Sequence, residues 1–137
     1  MEELTYAEEP DHPELAATIS NLAGVYEQQG RLTEAAEGFE RALLMYECYH
    51  FEAPNHADLA TTLHHLAGVY EGQKRLPEAA EKYERALRIK EAVNRETAKA
   101  DTNLSDVAAT VYSLASVYEA QGRLDEAAKG YERALEM

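Results

Sequence analysis

The chain has very little cysteine, few bases and no long apolar run. Its 137 residues include one cysteine, Cys48. One thiol cannot build an internal disulfide framework and suits a reducing compartment, so the expected location is cytoplasmic. No stretch of about 18 apolar residues occurs, which excludes a membrane-spanning helix. The opening Met1-Glu2-Glu3 is acidic where a secretory leader would be basic, so no signal peptide is expected. Lysine and arginine number 13 against 26 acids, a net charge of −13. The excess is uneven. Residues 1–50 hold eleven acids and two bases, residues 51–100 eight of each, and residues 101–137 seven acids and three bases. A surface this acidic repels phosphate backbones and anionic lipid, so neither nucleic acid nor membrane is an expected partner. A basic or neutral protein segment would be attracted, most of all to the first third of the chain. The plainer alternative is that the acidity only maintains solubility.

Catalytic signatures are equally scarce. There is no phosphate-cradling glycine loop and no G-x-S-x-G turn. His64-His65 is not a zinc pattern, because adjacent helical residues point about 100° apart and no cysteine or further histidine lies three or four away. His12 and His56 sit at matching helix starts, which argues for a capping or loop role. Cys48 has no repeated partner. Catalytic residues, metal and cofactor are therefore all expected to be none. A thiol or metal site around Cys48 and the histidines is the weakest of three functional readings.

What is present is one stretch written three times. Residues 22–43 read LAGVYEQQGRLTEAAEGFERAL, residues 66–87 LAGVYEGQKRLPEAAEKYERAL and residues 114–135 LASVYEAQGRLDEAAKGYERAL. The second and third copies each match the first at 17 of 22 positions. A tandem repeat of this period means stacked supersecondary units. Leu15, Ile19, Leu22 and Tyr26 are spaced by four, three and four residues, as are Leu59, Leu63, Leu66, Tyr70 and Val107, Val111, Leu114, Tyr118. That is the apolar stripe of a helix. A turn follows at Gln29-Gly30-Arg31, Lys74-Arg75 and Gly122-Arg123, where Lys74 is the least comfortable occupant of a helix C-terminus. A second helix carries Ala35, Ala36, Phe39, Ala42 and Leu43 and their counterparts. Thr33 and Asp125 suit its N-cap, and Pro77 its first turn.

Leu22, Ala23, Tyr26, Gly30, Ala35, Phe39 and Ala42 together resemble the tetratricopeptide repeat. The longer period, with His12-Pro13-Glu14-Leu15 opening the first helix, resembles the long-repeat subfamily typified by kinesin light chains. The resemblance implies an all-α, right-handed α-solenoid of three antiparallel helix pairs in a single domain, residues 1–137. Repeat 1 spans about 12–51, repeat 2 about 56–100 and repeat 3 about 105–137. Breaks are expected at Ala53-Pro54-Asn55 and Asp101-Thr102-Asn103, with Ser105 as the N-cap of the third unit. Leu4 and Tyr6 are candidates to pack on the first unit. The third unit looks truncated and uncapped, as in a fragment of a longer array or one whose open end meets another copy.

The resemblance also implies a concave groove on the side of each first helix opposite the stripe. It implies a function too: a non-catalytic protein-interaction module, adaptor or scaffold, that captures a peptide or partner helix there. Candidate peptide-binding residues are Ser20, Asn21, Glu27 and Gln28 in the first unit, His64, His65 and Glu71 in the second, and Tyr112, Ser113 and Glu119 in the third. Asn21 and Gln28 would bond the peptide backbone, since an amide both donates and accepts. His64, His65 and Tyr112 would set side-chain preference. Glu27, Glu71 and Glu119 recur in one slot and would either read basic residues or stand as solvated surface acids. The small residues Ala17, Gly24, Thr61, Gly68, Ala109 and Ser116 would leave the groove floor open or simply permit tight curvature. The alternative function is structural, with the terminal repeat near Tyr131–Leu135 self-associating as an assembly spacer.

Overall fold

A proline can begin a helix because the donor it lacks would go unused in the first turn. Pro13 begins the first helix of the described chain. The computed structural model describes residues 13–49, 57–97 and 100–136, with side chains over 15–47, 59–92 and 107–136. Among the described residues six helices follow one another: α1 Pro13–Gln28, α2 Leu32–Tyr49, α3 Ala57–Gly72, α4 Leu76–Thr97, α5 Ala100–Ala120 and α6 Leu124–Glu136. Among the described residues there is no strand. Leu4, Tyr6, His12, His56 and the expected break at Ala53-Pro54-Asn55 lie outside the described residues, as does the side chain of Cys48.

The turn inside each pair is built three times from the same bonds. Gly30 sits at φ 79° and Gly122 at φ 81°, the left-handed region a side chain disfavours. The Arg31 amide then donates to the Tyr26 carbonyl at 2.8 Å and the Gly30 amide to the Glu27 carbonyl at 3.0 Å, the closure of a Schellman motif. Arg31 returns over the Tyr26 ring, 4.4 Å from its centre, and Arg75 and Arg123 do the same over Tyr70 and Tyr118 at 4.2 Å each. The second helix starts at once. Ala35 N–H already donates to the Arg31 carbonyl. α2 and α6 therefore begin two residues earlier than their sequence suggests, and Thr33 and Asp125 lie in the first turn rather than at the N-cap, the slot that Pro77 fills in α4 as expected. Glu34, Glu78 and Glu126, also early in their helices, pair back to Arg31, Arg75 and Arg123. Carboxylates near a helix N-terminus face its positive end.

A second correction concerns the third unit. The expected break at Asp101-Thr102-Asn103 is helical, and α5 begins at Ala100. The longer second spacing therefore lengthens a helix, 21 residues in α5 against 16 in α1 and α3.

Packing follows the order of the chain. α1 pairs with α2, α3 with α4 and α5 with α6, and the pairs join through α2 on α3 and α4 on α5. Small residues set the approach within a pair: a carbon added to Gly38 would sit 2.9 Å from Ala23 Cβ. Phe39, Leu63, Leu66, Val69 and Val117 are the largest fully buried apolar side chains. Full burial of one such leucine contributes roughly 1.5–3 kcal/mol. The stripe is not buried along its whole length, however. Leu22 is 49% exposed, whereas its counterparts Leu66 and Leu114 are buried at 0% and 8%. Val25 is 47% exposed, and Val69 and Val117 are at 0%. These positions are covered by the preceding unit, and none is described ahead of α1.

Candidate functional site

The first helices α1, α3 and α5 stand in sequence along one side of the stack and carry all ten predicted peptide-contact residues. Asn21, Gln28, His65, Tyr112 and Glu119 are exposed, while Ser20, Glu27, His64, Glu71 and Ser113 are half-buried. A regular contact rule governs the variable pair in the second and third units. The residue in the His64/Tyr112 slot meets the aromatic of its own second helix. His64 packs edge-on to Tyr83 at 5.2 Å, and Tyr112 packs on Tyr131 at 5.3 Å. The next residue meets the aromatic of the unit before: His65 stacks on Phe39 at 5.6 Å, and Ser113 hydrogen-bonds the Tyr83 hydroxyl. The two histidine rings are thus drawn apart, 6.2 Å between centres and 86° between planes. Among the described residues no group of three His, Cys, Asp or Glu side chains gathers to hold a metal.

His64 does more than line a surface. Its Nδ1 lies 3.1 Å from the Thr110 hydroxyl, which also accepts from Lys90 Nζ at 2.9 Å. Thr110 and Lys90 are both buried, so this cluster fastens α3, α4 and α5 at the second junction. A buried ammonium is tolerable only when its donors are used.

The three glutamates occupy one register but have different surroundings. The Tyr83 hydroxyl donates to Glu71 Oε1 at 3.2 Å, and the Tyr131 hydroxyl to Glu119 Oε1 at 2.9 Å. Phe39 holds the equivalent place in the first unit and has no hydroxyl, so Glu27 lacks this anchor. A side-chain carbon on Gly68 would lie 3.6 Å from the Tyr83 hydroxyl and 4.0 Å from Glu27 Oε2. Glu27, Gly68, Tyr83 and Glu71 therefore share one corner where the first two units meet. Burial, and then the charge of Glu71, push Tyr83 well above the ordinary tyrosine range. Tyr131 is raised first by its bond to Glu119. Both phenols keep their protons at neutral pH and serve as donors. Each anchored carboxylate retains a second oxygen for a cation.

The tyrosine hydroxyls were not among the residues predicted from sequence. The signal was present in the substitution of Phe39 by Tyr83 and Tyr131, but it lies on the second helix, where an aromatic reads as core. A second tyrosine ladder was also missed. Tyr70 donates to Glu40 and Tyr118 to Glu84, each across a unit junction. Beside it, Arg85 pairs with Glu47 and Arg133 with Glu91.

Stacked, near-identical helix pairs with a polar, variable face on their first helices define a helical-repeat scaffold, a fold that typically carries no catalysis. The tetratricopeptide-repeat profile matches residues 14–92, and a second profile of the same description matches residues 110–137. The chain belongs to the tetratricopeptide-repeat family. Similar solved structures include BtubC (BKLC) from P. vanneervenii, with a TM-score of 0.82 at 22% identity over 96% of this chain and 50% of that one. A Podosopora anserina putative kinesin light chain with nearly identical TPR-like repeats has a TM-score of 0.74 at 24% identity, over 96% of this chain and 59% of its own. The N-terminal domain of stress-induced protein-1 from C. elegans has 0.69 at 18%, over 90% and 84%. These likenesses fix the fold and the resemblance to kinesin light chain repeats. The chain spans half the length of the first and 59% of the second. No curated protein matches it. No described helix is long and apolar enough to cross a membrane.

Proposed function

We propose that this chain is a non-catalytic protein-interaction module that takes a basic extended peptide, or a basic partner helix, along the face of α1, α3 and α5. The observation that supports this is the register of Glu27, Glu71 and Glu119, one acid per unit on successive helices, two of them held in place by tyrosine hydroxyls. An anchored carboxylate loses less side-chain freedom when a cation binds. Asn21 and Gln28 are exposed at the acidic end and bond the peptide backbone, while His65 and Tyr112 offer ring faces to its side chains. Such a module acts as an adaptor or scaffold, and the single cysteine suits a cytoplasmic setting.

The test is fluorescence polarisation against a library of basic peptides at low and high salt. Glu27→Gln, Glu71→Gln and Glu119→Gln should each weaken the hits by up to about fivefold, the range of an exposed pair, and raised salt should weaken them together. Affinity unmoved by all three changes would remove this face from consideration.

A further inference from the structure

The aromatic on each second helix decides how the acid of its own unit is held. Phe39, Tyr83 and Tyr131 share one slot and differ by a hydroxyl. Tyr83 is 3% exposed, so a partner on the face meets Glu71 rather than the phenol. The Tyr83 proton is committed to Glu71 Oε1 at 3.2 Å, and Ser113 therefore donates to the phenol oxygen from α5. This relay runs from α5 through α4 to α3 and ends on a carboxylate of the middle unit, which has described units on both sides. A free glutamate samples many rotamers, and freedom removed in advance need not be removed by binding. The first unit has the same acid without the relay. Its Phe39 ends in a bare ring edge, His65 stacks on that ring in the slot of Ser113, and Glu27 lacks the bond. Room for a hydroxyl exists there. A carbon on Gly68 would meet the Tyr83 oxygen at 3.6 Å, while one on Gly24, the same slot in the first unit, would meet nothing within 4 Å.

We propose that Tyr83 is a positioning residue of the peptide-binding face: it fixes the Glu71 carboxylate toward an incoming lysine or arginine and makes the middle unit a stronger cation subsite than the first. Resting on α1, α3 and α5 as the basic-peptide face, this role adds a rank order to its acids. Charge alone ranks them the other way, because residues 1–50 hold eleven acids to two bases and residues 51–100 eight of each. A buried phenol needs some acceptor. In both units that have one, the acceptor is the acid of the proposed face.

Fluorescence polarisation of labelled octa-arginine against the full chain at low salt tests this. Glu71→Gln should weaken binding by about threefold to fivefold, and Glu27→Gln by less than about twofold. Tyr83→Phe should lose about as much as Glu71→Gln and add nothing when combined with it, the mark of a residue that acts through that carboxylate. Phenylalanine already fills this slot in the first unit, and thermal melts check that the variants fold. The reverse change reads a gain: Phe39→Tyr should strengthen binding by about twofold, and Glu27→Gln should abolish that gain. Three results overturn the proposal while the face stands. They are a Tyr83→Phe variant that binds as tightly as the parent, a Tyr83→Phe loss that adds in full to that of Glu71→Gln, and a Phe39→Tyr variant that gains nothing or gains equally without Glu27. Octa-arginine affinity that ignores all three glutamate changes removes the face itself, and the role of Tyr83 with it.

Discussion

A phenol held against a carboxylate ties each unit to the next, and its proton is part of the tie. Burial first, then the bond to Glu84, lift Tyr118 to about 12, and Tyr70 is raised in the same way by burial and Glu40. A group that holds its proton more tightly when folded lends stability in full below its unfolded value, near 10 for tyrosine. That share is lost as the pH climbs through the folded value. Stability should therefore fall between pH 10 and about 12, with Tyr118 a contributor. Tyr118→Phe is expected to cost about 1 kcal/mol at neutral pH. Urea midpoints measured across pH 8–12 should also fall less steeply for the variant. An equally steep alkaline limb in both proteins would detach Tyr118 from the effect. This pairing was not legible beforehand. Tyr118 read as the last residue of an apolar stripe, and Glu84 lies 34 residues away among many equivalent acids. Residues that meet only through the stacking of units leave no local spacing to read.

At the scale of the helix pair, far more was legible. Stripe spacing, the glycine turns and the alanines of the second helix all have local causes, and each element stands where they put it. The misplaced boundaries share one reason. Helix starts at Leu32 and Leu124 are set by how the preceding turn closes, not by the best capping side chain nearby. One turn bears a cost that the sequence did announce. Lys74 occupies the left-handed position at φ 66°, where the other two units have glycine. A residue with a Cβ is disfavoured there by roughly 1–2 kcal/mol, offset in part by the greater chain entropy glycine must lose. Lys74→Gly should thus stabilise the protein by about 0.5–1 kcal/mol, read as a rise of a few degrees in the thermal midpoint. A lowered midpoint would mean that the lysine makes a compensating contact.

In the whole molecule, the position of a unit outweighs its sequence. Stacked repeats draw stability from their own pairs and from nearest-neighbour junctions. The middle unit has two junctions, and each outer unit has one among the described residues. This is why three near-identical stripes show unequal burial, a difference that the repeat, read as a uniform pattern, does not announce. The same substitution in the same slot should then have different costs. Leu66→Ala removes a fully buried side chain under the first unit and should destabilise by about 2–5 kcal/mol, the range of leucine cavities. Leu22→Ala, half exposed at the end of the stack, should cost under about 1 kcal/mol in the dilute chain. Chemical denaturation of the two variants at low micromolar concentration gives both numbers. Equal costs would mean that position in the stack does not set the contribution of a repeat.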